Sequence, residues 1–181
     1  MKILKGLLIG AAILALIGYF GFYYMKSQTK KASPEEVATY QVGDAEITID
    51  YSRPSKKGRV IFGELVPYGK VWRTGANEAT TFTTTKDLKV GGLPLAAGTY
   101  TLWTIPQAGS WTVILNSKTY PWGVNYDGIA QRDPTADVVT VEVPIQELPE
   151  AVELFTITVG GEPTALAMAW DQVKVRVPVT R

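Results

Sequence analysis

The chain has 181 residues, with 18 Lys and Arg against 17 Asp and Glu, and it contains neither Cys nor His. Those two absences exclude disulfides, thiol nucleophiles, Ser-His-Asp and Cys-His catalysis, His-ligated haem, and zinc or copper held by His or Cys. Carboxylates, Lys, Tyr, Ser and Thr remain for chemistry, and without Cys there is no site for an N-terminal lipid.

Gly6 to Met25 is an uncharged run of twenty residues, GLLIGAAILALIGYFGFYYM, flanked by Lys2 and Lys5 on one side and Lys26, Lys30 and Lys31 on the other. As a helix it spans about 30 Å, one hydrocarbon thickness. A cleaved signal peptide has a shorter apolar core followed by small residues at the cleavage site. This run ends instead in Tyr19, Phe20, Phe22, Tyr23 and Tyr24, the composition of a membrane-interface belt. Residues 1–31 therefore read as a transmembrane anchor with basic flanks. A short N-terminal tail usually stays in the cytoplasm, which puts the rest of the chain on the far side of the membrane as the expected arrangement. Gly6, Gly10 and Gly18 lie on one row with Ala11 and Ala15 beside it, a small-residue face of the kind that lets membrane helices pack closely.

Residues 32–44 read as a linker, because Ser33-Pro34-Glu35-Glu36 resembles a helix start with few apolar residues behind it. From residue 45 to 181 the periodicity is two. Strands are expected at Ala45–Tyr51, Arg59–Phe62, Glu78–Thr85, Leu88–Val90, Gly98–Ile105, Trp111–Leu115, Val138–Ile145, Val152–Val159 and Leu166–Val177. Gly91-Gly92, Asp127-Gly128 and Gly160-Gly161 are turn signals. No soluble helix is convincing, so the fold class is all-β: an antiparallel β-sandwich or jelly-roll-like domain preceded by one transmembrane helix. Five of the 18 basic residues lie in the first 31 residues and all 17 acidic residues lie beyond, which leaves the β-domain at −4. An acidic domain without a basic cluster does not suit nucleic acid.

The densest polar and aromatic group is Arg53, Arg59, Tyr68, Trp72, Arg73, Asn77 and Glu78. Arg offers forked donors and Trp a flat stacking face, so the group suits a sugar or a carboxylate-bearing ligand. The competing reading is that these residues hold an irregular segment together while Trp72 plugs one end of the sandwich. Tyr120, Trp122 and Tyr126 lie in a nine-residue stretch with two Pro/Gly breaks. That describes a structured loop, either a protein-interface element or a lid on the core. Glu64 and Glu78 satisfy the bare requirement for a glycosidase pair, and Asp127, Asp133 and Asp137 that for an oxygen-ligand metal site. Both sets read better as unremarkable surface acids.

The string PYGKVWRTGANE at residues 67–78, with LPLAAGTYTLWTIP and WTVILN downstream, resembles the bacterial DUF2911 family across roughly Ala45 to Val177. The resemblance implies an exported β-domain and carries no activity to transfer. The expected function is a non-catalytic accessory or scaffolding subunit of a membrane complex, with a photosynthetic or respiratory complex as one candidate host, and with no cofactor of its own. The alternatives are a membrane-tethered domain binding carbohydrate or another small ligand, and a carboxylate-dependent hydrolase.

Overall fold

The computed structural model describes residues 2–181, and the surroundings of side chains for residues 9–25 and 27–181. The chain divides at Ala32/Ser33 into an N-terminal helix and a β-rich unit. Helix α1 runs from Lys2 to Ala32, with Lys30 and Lys31 in its last turn, where cations suit the helix dipole. By length and composition it is apolar enough to cross a membrane, a test that a signal sequence also passes. Its described apolar side chains are exposed throughout, and a Cβ added at Gly10 or Gly18 would meet nothing within 4 Å. Lys2, Lys5, Gly6 and Lys26 lie outside the residues whose surroundings are described. The Tyr19 and Tyr23 rings, one turn apart, meet at a tilt of 46° with centroids 4.7 Å apart.

The second unit is one sheet of nine strands, all pairings antiparallel, in the order β1-β2-β3-β6-β7-β8-β9-β4-β5. The strands are β1 (Glu35–Val42), β2 (Ala45–Ser52), β3 (Thr81–Thr84), β4 (Leu88–Val90), β5 (Leu93–Leu95), β6 (Gly98–Pro106), β7 (Ser110–Asn116), β8 (Asp137–Gly160) and β9 (Ala165–Thr180). A short 3₁₀ turn at Pro134–Ala136 precedes β8.

Three expectations are corrected. Ser33-Pro34 does not start a helix; α1 ends there, and residues 35–42 are a strand rather than linker. All eight residues of β1 pair with β2 around Gly43-Asp44, and Pro34 accepts from the Arg53 amide at 2.7 Å. The inward side chains of β1 are Glu36, Ala38, Tyr40 and Val42, too small or polar to print a hydrophobic alternation. The Arg59–Phe62 segment forms no strand, only a bridge from Phe62 to Val66. The segments 138–145 and 152–159 are one strand of 24 residues, with register shifts between Glu147 and Thr156.

That long strand organises the unit. Its first part pairs with β7 and the remainder with β9. Residues beyond β2 then meet its far end: Phe155 donates to the Pro54 carbonyl at 3.0 Å and the Lys56 amide to Glu153 at 2.8 Å. The sheet thus turns back on itself, and the inward residues of both ends share one core. Ile47, Ile49 and Tyr51 of β2 face Phe155, Ile157 and Val159 of β8, with Leu166, Met168 and Trp170 of β9. Buried polar groups are satisfied on the way: the Tyr51 hydroxyl accepts from the Ile157 amide at 3.0 Å.

Candidate functional site

Two irregular segments, residues 53–80 and 117–136, leave the sheet at the same end of the core. Each is rigid for a local reason. In the first, Thr74 and Asn77 adopt φ of 56°, a conformation that non-glycine residues, above all β-branched ones, seldom take. They are held there by burial and hydrogen bonds. The Thr74 hydroxyl bonds Thr104 Oγ1 at 3.1 Å, and Thr80 Oγ1 donates to the Thr74 carbonyl at 2.7 Å. The Asn77 amide donates to the Ser33 carbonyl at 3.3 Å. In the second segment, the Asn125 side chain accepts from the amides of Asp127 and Ile129 at 3.0 and 2.9 Å, an Asx turn that shapes the tip. Gly123, at φ +80°, lets the loop settle on the β-domain: a Cβ there would lie 3.1 Å from Ala79 Cβ and 3.2 Å from the Trp103 ring.

Between these segments lies a cleft of about 960 Å³. Trp72 and Trp170 form part of its floor, Leu65 and Val71 line one wall, and Trp122 and Ile129 belong to the other. The floor continues into the core. Trp72 stacks on Trp170 at 5.9 Å and 17°, and Phe155 lies 4.9 Å from Trp72. Trp72 also donates from Nε1 to the Gly75 carbonyl at 3.0 Å. The rim is open: Trp122 is 40% exposed and Tyr126 fully exposed. Among the described residues the charged side chains lining the cleft are Lys70 and Arg73, both cationic, in a domain that is otherwise acidic.

Arg73 stands out. Its guanidinium lies over the Trp122 ring, 5.9 Å from the centroid, and Nε is buried with no hydrogen-bond partner. Burial pushes its pKa down and the charge of Glu78 draws it back up. Glu78 itself lines a separate, small cavity of about 70 Å³ beside Tyr51 and Ser52.

The residues singled out in the sequence therefore separate. Trp72 and Arg73 meet Trp122 and Tyr126 at one cleft, which joins the two groups that the sequence presents as distinct. The others serve the fold. Arg53 donates to the Phe155 carbonyl at 3.1 Å and Thr156 Oγ1 at 2.7 Å, and it pairs with Glu36. Arg59 bonds the carbonyls of Lys56 and Ser55. Tyr68 packs its ring against Gly63. Tyr120 is half-buried, edge-on to Trp103 at 5.3 Å, and its hydroxyl accepts from the Asp133 amide at 2.9 Å. Glu64 is exposed and outside the cleft lining. Asp133 and Asp137 are not solvated loop acids. Asp133 pairs with Lys118 and caps the 3₁₀ turn, and Asp137 pairs with Arg132. Asp127 is exposed, and the described residues contain no group of three or more His, Cys, Asp or Glu able to hold a metal ion.

Several carboxylates tie loops down while ionised. Hydrogen bonds from Lys118 and Thr135 hold Asp133 well below the usual carboxylate range; a hydrogen bond from Arg181 lowers Asp44, and those from Ser55 and the Lys57 amide lower Glu153. A carboxylate whose folded pKa is depressed stabilises the fold above its unfolded pKa of about 4, and that contribution is lost as the pH falls. With no His in the chain, the urea midpoint is expected to stay level between about pH 6 and 8 and to fall steadily below about pH 5.

The structure defines an antiparallel β-domain that presents an aromatic, cation-lined cleft between two ordered loop segments. The chain belongs to the DUF2911 family, described as protein of unknown function, whose sequence model matches residues 33–179. No curated protein and no solved structure matches the chain.

Proposed function

We propose that this chain is a non-catalytic, membrane-tethered binding domain of the bacterial envelope. In this reading a β-sandwich is held at the outer face of the inner membrane by α1, with the N-terminus in the cytoplasm, and the cleft receives the ligand. The observation that carries the reading is the cleft itself. About 960 Å³ is the size of a small-molecule site, its lining is largely aromatic and aliphatic, and its few polar side chains come from both loop segments. Exposed Trp122 and Tyr126 on an ordered loop are what binding surfaces expose and what folding alone does not require. The placing of Glu64 and Glu78 away from this cleft weighs for binding over hydrolysis.

A second reading, an accessory subunit of a membrane complex, is favoured by α1. It carries Gly10, Ala11, Ala15 and Gly18 along one face, the small-residue pattern by which membrane helices pack closely. In that case the helix meets other subunits while the cleft remains the ligand site.

Native mass spectrometry of the full chain, extracted from its own membranes, tests the proposal. An uncleaved chain carrying a bound molecule or partner that Trp122→Ala removes, with circular dichroism unchanged, is the expected result. Recovery of a soluble form lacking α1 would overturn the tether. Bound material that survives Trp122→Ala and Tyr126→Ala together would overturn the cleft.

A further inference from the structure

We propose that the cleft recognises an amphiphilic carboxylate: a small molecule with one carboxylate head, met by Arg73, and a flat or branched apolar body laid between Trp122 and the Trp72–Trp170 floor. This rests on the reading of the cleft as the ligand site and assigns the chemistry of what enters it.

Three observations converge on that chemistry. The first is charge. The lining contributes Lys70 and Arg73 and, among the described residues, no carboxylate, although the domain as a whole is acidic. A ligand with a positive head meets only like charge there, whereas an anion is matched.

The second is the state of Arg73. A buried guanidinium normally spends its donors on carbonyls or carboxylates, as Arg53 does on Phe155, Thr156 and Glu36. Arg73 is instead held by the face of Trp122, and its Nε is buried without a hydrogen-bond partner. The ring contact sets the guanidinium beside the cleft with Nε unused among the described residues, while the nearby charge of Glu78 only partly offsets its burial. A carboxylate satisfies such a fork with two parallel bonds, which a hydroxyl or a single carbonyl cannot do.

The third is the remainder of the lining. Leu65, Val71, Ile129 and the three Trp rings offer mostly apolar surface, with Asn125 and the Tyr126 hydroxyl as the neutral polar groups. The Asn125 oxygen is already engaged with the amides of Asp127 and Ile129. A sugar needs several convergent hydroxyl partners, and this cleft does not supply them. An apolar body carrying one anionic head fits.

The test uses full-length protein in nanodiscs, with empty nanodiscs as the blank, titrated calorimetrically with 2-naphthoate and with its neutral isostere 2-naphthamide. Naphthoate is expected to bind at least about tenfold more tightly than the amide, the worth of one charge-assisted hydrogen bond. Arg73→Gln is expected to erase that preference, and Trp122→Ala to weaken both probes. Equal binding of acid and amide to the unaltered protein would overturn the carboxylate assignment while leaving the cleft as a site. Naphthoate binding that survives both substitutions would place the anion elsewhere, and absence of binding by either probe would also defeat the proposal. Because acid and amide are compared on the unaltered protein, the test stands even if Arg73→Gln fails to fold.

Discussion

Trp170→Ala is expected to destabilise the β-domain by about 3–5 kcal/mol, the usual cost of deleting a fully buried large aromatic. Trp170 is 1% exposed and stands where the core becomes the cleft floor. It stacks on Trp72, lies 5.9 Å from Phe155 and meets Phe62 edge-on at 6.3 Å. Its Nε1 donates to the Glu153 carbonyl at 3.2 Å, which ties β9 to the part of β8 that turns back toward β2. Truncation leaves a cavity lined by aromatic rings and removes one of the two hydrogen bonds to that carbonyl, the other coming from the Lys56 amide. Urea denaturation followed by far-ultraviolet circular dichroism measures the loss. The contrast with Trp122→Ala matters most. Trp122 is 40% exposed and stacks only on Arg73 among the described ring contacts, so its loss is expected to cost no more than about 1 kcal/mol. Of the three Trp of the cleft, Trp170 is thus expected to matter for stability and Trp122 hardly at all.

The second large effect is expected at Asn116, fully buried at the end of β7. Its amide nitrogen donates at 2.8 Å to both the Asp133 carbonyl and Asp137 Oδ1. Its oxygen accepts from the Lys118 amide at 3.0 Å and the Tyr120 hydroxyl at 3.3 Å. One side chain therefore fixes both ends of the segment that carries Trp122 and Tyr126. Asn116→Ala removes four hydrogen bonds at once and leaves a hole at a fully buried position, at a cost of about 2–4 kcal/mol. Amide hydrogen exchange distinguishes a local from a global effect. Faster exchange over residues 118–131, with the β6–β7 amides still protected, is the pattern expected of a loosened cleft wall.

The sequence makes the strands with strict alternation plain. The run AEITIDY is β2, and GTYTLWTIP and SWTVILN become β6 and β7, because β-branched and aromatic residues alternate on half-buried faces. β1 escapes the same reading because its inward residues are Glu36, Ala38 and Tyr40. Their burial comes from long-range partners: Tyr40 donates to the Ile157 carbonyl at 3.0 Å and Glu36 pairs with Arg53. The continuity of β8 is hidden by Pro144, Pro149 and a run of acids, since a strand that changes partners midway keeps no single inward face.

The site was legible as two groups and not as one. Trp72-Arg73 and Trp122-Tyr126 are dense in aromatics outside periodic segments, which marks them. Their meeting depends on Asn116, which ties the two ends of its own loop, and on Gly123, which settles against Ala79 and Trp103 from other segments. Arg53, Arg59 and Asn77 look like ligand-binding residues by type, yet their donors go to backbone carbonyls and to groups that close the fold. The neglected signal is Leu65, Val71 and Ile129, apolar residues in loops with no periodicity to explain them. Apolar side chains outside the strand pattern line the cleft instead of filling the core.

The central claim, that this cleft is where the chain meets its ligand, is tested most directly by photo-cross-linking in cells. A benzophenone side chain is placed at position 126 of the full-length chain, with a second variant at exposed Thr99 on β6 as the reference. The account predicts an adduct from position 126 that is absent from position 99 and is lost on adding Arg73→Gln. Equal labelling at both positions, or an adduct at 126 indifferent to Arg73, would contradict it.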